Sequence, residues 1–196
     1  VKKLSTKPKI PTNDKKLFRK LALLLLFSFL SLTCSREEAS PLHRYASQGN
    51  IGEIKRLLSN GVSINEKNSQ DYSSLHLAVI EEHREIVKIL IKNGADVDAE
   101  SKYGDTPLHF ASAKGHTPMV QILISARANI NAKNDFRNTP LHRAVNGGHE
   151  AVVKILLKSG AKINARTKFD DTPLNVAIKT GNKKMIQFLE REGGRN

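Results

Sequence analysis

The 196-residue sequence contains one cysteine, no tryptophan, two methionines and only 5% aromatic residues. A lone cysteine excludes a disulfide framework. With 39% hydrophobic and 26% charged residues, the composition also excludes a wholly disordered chain. No apolar run is long: residues 21–32 are uncharged over twelve positions, about 18 Å as a helix against a ~30 Å hydrocarbon core. Catalytic motifs are missing as well, with no Gly-rich phosphate loop and no Gly-x-Ser-x-Gly elbow. His149-Glu150 begins like the metal-binding HExxH pattern, but Val153 stands where the second histidine belongs. Acidic residues are in deficit, giving a formal net charge of +13. Residues 1–33 contribute +7 of it, from eight Lys and Arg against one Asp, and the remaining 24 basic and 18 acidic residues leave only +6. The charge therefore argues weakly for an acidic polymer, and no nucleic-acid partner is expected.

The apolar run follows Lys15, Lys16, Arg19 and Lys20. A basic start, a short apolar middle and a small or polar exit are the parts of a secretory signal peptide, so residues 1–33 are expected to direct export. Val1 reads as a translated non-standard start codon, and initiation near Leu17 would leave a compact leader. The sole cysteine follows directly, in Leu30-Ser31-Leu32-Thr33-Cys34. This resembles the lipobox of bacterial lipoproteins, in which the cysteine is lipidated and becomes the new N-terminus. It departs from that pattern in placing Ser31 where leucine is usual and Thr33 where Gly, Ala or Ser is usual. The resemblance implies a lipidated Cys34 with a short tether, residues 34–38, holding the remainder at a membrane of the bacterial envelope, in the periplasm or at the outer membrane. Secretion without an anchor is the alternative.

Beyond Cys34 the sequence repeats itself. Leu42, Leu75, Leu108, Leu141 and Leu174 recur every 33 residues, as do Leu57, Leu90, Leu123, Leu156 and Leu189, and the series Ile54, Val87, Val120, Val153 and Ile186. Around the first column the text recurs too: Ser40-Pro41-Leu42-His43, Ser74-Leu75-His76, Thr106-Pro107-Leu108-His109, Thr139-Pro140-Leu141-His142 and Thr172-Pro173-Leu174-Asn175. Thr or Ser caps the first N–H groups of a helix, and Pro suits the first helical position, where a missing donor costs nothing. The small residues Ala78, Ala111, Ala144 and Ala177 let neighbouring helices approach closely. Gly115-His116, Gly148-His149 and Gly181-Asn182 then break the chain before a second helix such as residues 152–157. Gly61, Gly94, Gly160 and Gly193 end that helix, where a left-handed residue is wanted. Arg127 occupies the same column and is expected to be strained there.

Over roughly residues 39–193 these features resemble the ankyrin repeat. The resemblance implies an all-α repeat solenoid of five stacked repeats, 39–71, 72–104, 105–137, 138–170 and 171–196, each a helix-loop-helix with a hairpin finger. No unit buries its apolar side alone, so stability comes from stacking. Arg56 replaces Ile89, Ile122 and Ile155 of the inner repeats, and Glu190 replaces Leu58, Ile91, Ile124 and Leu157, as polar caps require. The histidines form two columns, His43, His76, His109 and His142, and His83, His116 and His149. Successive helices pack ~8 to 10 Å apart and zinc bonds are near ~2 Å, so these columns cannot share one ion. They are expected to bond to the backbone of loops and helix starts, and neither a metal nor a cofactor is expected. Lys179, Lys183 and Lys184 read as a solvated face.

In ankyrin proteins the fingertips and the inner face of the first helix contact partners. Carried over, these positions are Gln70, Tyr103, Phe136 and Phe169 five places before each leucine, and Tyr72, Asp105, Asn138 and Asp171 three places before it. On the first helices they include Ile80, Glu81, Lys114 and Asn146. Tyr103, Phe136 and Phe169 form a file of aromatics on expected tips, the kind of residue that dominates protein binding. The expectation is a monomeric, non-catalytic, lipid-anchored module that binds another protein in the envelope. The alternatives are a membrane-anchored cytosolic regulator, or an inhibitor or immunity protein of a secreted toxin or envelope enzyme.

Overall fold

A computed structural model describes residues 40–196, so the expected leader, Cys34 and the tether lie outside the described residues. Ten helices occur among them, in five antiparallel pairs: α1 Pro41–Gln48 with α2 Ile51–Ser59, α3 Ser74–Ile80 with α4 Arg84–Lys92, α5 Pro107–Lys114 with α6 Thr117–Ser125, α7 Pro140–Asn146 with α8 Glu150–Lys158, and α9 Pro173–Lys179 with α10 Lys183–Arg191. The expected caps start the first helix of the last four pairs, where Ser73, Thr106, Thr139 and Thr172 sit in extended backbone immediately before α3, α5, α7 and α9, whereas Ser40 before α1 makes no side-chain cap bond. In these four motifs the last residue completes the cap, whereas His43 Nδ1 in the first has no hydrogen-bond partner among the described residues. His76 Nδ1 accepts from the Ser73 N–H at 3.1 Å, and His109 and His142 repeat the contact with Thr106 and Thr139. In the last pair Asn175 Oδ1 takes the same role toward the Thr172 N–H, at 2.9 Å.

The second helices end in a common turn. Residues 61, 94, 127, 160 and 193 are all left-handed, with φ of 76°, 89°, 66°, 93° and 90°. In α4 the Gly94 N–H donates to Ile91 O and the Ala95 N–H to Leu90 O, and in α6 Arg127 and Ala128 reproduce both bonds. This is the paired closure that satisfies the last free carbonyls of a helix.

The leucine columns are the core. Leu42, Leu75, Leu108, Leu141 and Leu174 are buried, as are Leu57, Leu90, Leu123, Leu156 and Leu189. Successive first helices pack on one another more closely than successive second helices, as fully buried Ala78, Ala111, Ala144 and Ala177 permit. Arg56 and Glu190 are exposed on the end units, where apolar side chains would have no neighbour.

Between pairs the chain runs out into a finger and back. The fingers close by backbone bonds from Asn68 N–H to Tyr72 O, Ser101 N–H to Asp105 O, Asn134 N–H to Asn138 O and Thr167 N–H to Asp171 O, each with a second bond inside the turn. Among the described residues the hairpins form no extended strands, only an isolated antiparallel bridge between Lys67 and Ser73. Each finger also donates to the one before it: Lys102 N–H to Gln70 O at 3.1 Å, Asp135 N–H to Tyr103 O at 3.1 Å, and Lys168 N–H to Phe136 O at 2.8 Å. A row of Asn and Asp side chains ties the bases together, Asn65, Asp98, Asn131 and Asn164 accepting from the N–H groups of Asp96, Asn129, Lys162 and Arg195.

Candidate functional site

The histidine columns are structural. Nε2 of His43, His76, His109 and His142 bonds to the carbonyls of Tyr72, Asp105, Asn138 and Asp171, each in the following finger. For His76 the partners fix the neutral tautomer: Nδ1 accepts from a backbone N–H, so Nε2 carries the proton and donates to Asp105 O at 3.1 Å. Burial pushes its pKa down to about 4, against a weaker upward pull from the Asp105 carbonyl bond. Burial likewise lowers His109 and His142. In the second column His83, His116 and His149 bond to the carbonyls of Ser47, Val79 and Ala113. Among the described residues no group of three or more His, Cys, Asp or Glu is placed to hold a metal.

Besides Gln70, exposed on the first finger, the positions marked as partner contacts divide into three sets. Tyr103, Phe136 and Phe169 are exposed, at 57%, 43% and 73%, and stand at corresponding places on three successive fingers. Lys114 and Asn146 are exposed at the ends of α5 and α7, and Glu81 is exposed immediately after α3, whose last residue, Ile80, is half-buried. The remaining four are engaged within the molecule to different degrees. Tyr72 packs edge-on against Phe110, with ring centres 5.5 Å apart, and 5.7 Å from the His76 ring. Asn138 is half-buried, its N–H held by Asn134 Oδ1 at 2.9 Å. Asp171 is bound by Lys179 Nζ at 2.6 Å, so the lysine read as part of a solvated face is tied to a finger.

Asp105 departs furthest from the expectation of an exposed contact. It is 8% exposed, and its carboxylate accepts from Arg143 Nη2 at 2.7 and 3.0 Å and from Asn134 Nδ2 at 2.9 Å. A buried carboxylate needs such partners. Asp105 therefore ties its own finger to the next finger and to α7, and is withdrawn from the surface. Arg143 and Phe110, two places after their leucines, escaped the sequence reading. The signal was available: that column runs Arg44, Leu77, Phe110, Arg143, Val176, varied in chemistry as structural columns are not.

Charge is unevenly distributed along the stack. Residues 40–126 hold 9 Lys and Arg against 10 Asp and Glu, whereas residues 127–196 hold 14 against 6. The basic excess belongs to the later part of the stack.

A scan against known families matches the ankyrin repeats profile in three copies, over residues 15–101, 42–134 and 94–167. The chain belongs to the ankyrin repeat family. The ten helices among the described residues are those of an ankyrin solenoid, and ankyrin repeats indicate a protein–protein interaction module. No curated protein shows a significant match to this ankyrin chain. Two depressions of about 350 and 360 Å³ lie on the ankyrin stack, the first lined by Glu82, His83 and Arg84 and the second by Lys154, Lys158 and Phe188. In the first, His83 Nε2 bonds to the Ser47 carbonyl at 2.9 Å and Arg84 pairs with Glu82 at 3.0 Å. Among the described residues no helix is long and apolar enough to cross a membrane.

Proposed function

We propose that the chain is an exported, lipid-anchored ankyrin module of the bacterial envelope that captures another protein without chemistry of its own. The observation that carries the binding reading is the file of Tyr103, Phe136 and Phe169, exposed on fingers joined by backbone hydrogen bonds. Exposed aromatics at a fixed spacing offer large contact area with little ordering cost on binding. The export and anchoring reading is supported by the order of residues 15–34, basic, then apolar, then Cys34.

The test is crosslinking in intact cells, followed by identification of what co-purifies with the full chain. Tyr103→Ala/Phe136→Ala/Phe169→Ala is expected to keep the helical circular dichroism and the melting midpoint while losing the captured partner. Truncating a true hot spot costs about 2 kcal/mol or more in binding, whereas exposed substitutions usually change stability by under about 0.5 kcal/mol. Undiminished capture by the folded variant would move the site to Ile80, Glu81, Lys114 and Asn146 on the first helices.

A further inference from the structure

We infer that the fingertip edge is built to receive an extended, acidic segment of a partner protein bearing apolar side chains. This rests on the protein-binding reading above and specifies the partner's chemistry. The first ground is the use of charge. Three carboxylates at the turns and bases of the later fingers are paired internally: Asp105 with Arg143, Asp170 with Arg166 at 2.7 Å, and Asp171 with Lys179. The cations beside the aromatics are not. Lys102, Arg137 and Lys168 are exposed, and among the described residues their side chains make no ion pair or hydrogen bond. Each adjoins one of the file in sequence, as Lys102-Tyr103, Phe136-Arg137 and Lys168-Phe169. Asp135, on the other side of Phe136, and exposed Asp71, at the turn of the first finger, oppose these three cations with two charges and leave the edge positive by one.

The second ground is range. Phe136 and Phe169 belong to the part of the stack, 127–196, that holds 14 basic against 6 acidic residues, and a net positive field attracts an acidic partner over about 8 Å at physiological salt. The third is geometry. The backbone bonds between fingers fix the aromatics one repeat apart, about 10 Å if the spacing follows that of packed helices. An extended chain of the polyproline II type advances about 3.1 Å per residue with three residues per turn, so every third partner side chain faces the same way and would meet a finger. Three separated points, each an aromatic with a cation, suit side chains entering singly better than they suit a continuous plane.

The experiment is selection of random displayed peptides on the purified full chain, compared with Lys102→Glu/Arg137→Glu/Lys168→Glu and with the triple alanine variant, each checked for native circular dichroism. The expected ligands are net negative with apolar residues about three apart. Their affinity should weaken with salt and fall about 10- to 100-fold on charge reversal. Neutral or basic ligands that depend on the aromatics would overturn the acidic inference and leave the protein-binding reading standing. Ligands indifferent to both variants would overturn both at this edge. If no acidic peptide is recovered while phosphatidylglycerol vesicles or single-stranded oligothymidine bind and are lost on charge reversal, the edge serves a membrane or nucleic acid, and the inference fails.

Discussion

Replacing Arg127 by glycine should stabilise the stack. Arg127 is left-handed at φ 66°, in the column otherwise held by Gly61, Gly94, Gly160 and Gly193. A Cβ built on any of those four glycines meets nothing within 4 Å, so at this position the penalty on a side chain is local to its own backbone. That penalty is about 1 to 2 kcal/mol, and glycine gives back about 0.4 to 1 kcal/mol through its freer unfolded chain. The net gain is about 0.5 to 1 kcal/mol, or about 1 to 4 °C in the midpoint for an array of this size. Among the described residues the Arg127 side chain makes no hydrogen bond or ion pair that would be forfeited. Thermal and urea melts of the full chain measure the effect, with Arg127→Ala as the control that keeps the strain and drops the guanidinium. A lower midpoint for Arg127→Gly, with Arg127→Ala also lowered, would show that the side chain contributes more than the strain costs, and would refute the reasoning. The neighbouring row repeats the logic: Asn65, Asn131 and Asn164 donate to the carbonyls of Gly94, Gly160 and Gly193, whereas Asp98 has no N–H to offer the carbonyl of Arg127.

Asp105→Ala should lower the urea midpoint by the equivalent of about 2 to 3 kcal/mol, because it strands Arg143 and Asn134; unchanged stability with lost partner capture would return Asp105 to the binding surface. Stability should fall as pH drops from about 6.5 to about 4, since unfolded His76 takes up a proton that the folded site, with its pKa near 4, refuses. His76 alone accounts for about 3 kcal/mol of that loss, and His109 and His142 act in the same direction. His76→Asn, imitating Asn175, keeps the cap and should flatten this slope in urea melts taken across the range; a slope as steep as the parent's would mean that His76 is not its source. Cys34→Ala should abolish incorporation of labelled fatty acid and shift the protein from the membrane pellet, or leave the leader uncut; persistent labelling would exclude lipidation at Cys34.

The 33-residue columns were legible because stacking makes the same demand at every unit. A leucine that is buried at Leu75 must be buried at Leu108 and Leu141, so repetition in the text translates directly into burial. The Thr-Pro start and the glycine stop were legible for a related reason, since each follows from backbone chemistry within a few residues. Asp105 was not legible as a buried strut. Its partners Asn134 and Arg143 lie 29 and 38 residues away on the next finger and helix, and a carboxylate beside a tip reads the same from sequence whether it faces water or a guanidinium. The reciprocal cap of His76 was half legible: the column marked it as structural, but only coordinates reveal which nitrogen meets Ser73 and which reaches Asp105.

What stacking does not demand is where selection for binding can act, and the first finger provides the comparison. Gln70 holds the place of Tyr103, Phe136 and Phe169, and its carbonyl accepts from the Lys102 N–H as the carbonyls of Tyr103 and Phe136 accept from Asp135 and Lys168. The turn residue after it, Asp71, is left-handed at φ 58°, as Arg137 and Asp170 are at 58° and 64°. A finger is thus built with an amide side chain at this position as readily as with a ring. Finger construction gives no reason for three exposed aromatics in a chain that is 5% aromatic overall. Phe169 is the most exposed of the three at 73%, which also excludes packing between fingers as the origin of its ring. Tyr72 shows what an aromatic used for packing looks like in the same molecule: half-buried, edge-on to Phe110 and close to His76. The file differs from it on every count, and contact with a partner is the role that its exposure and regular spacing fit.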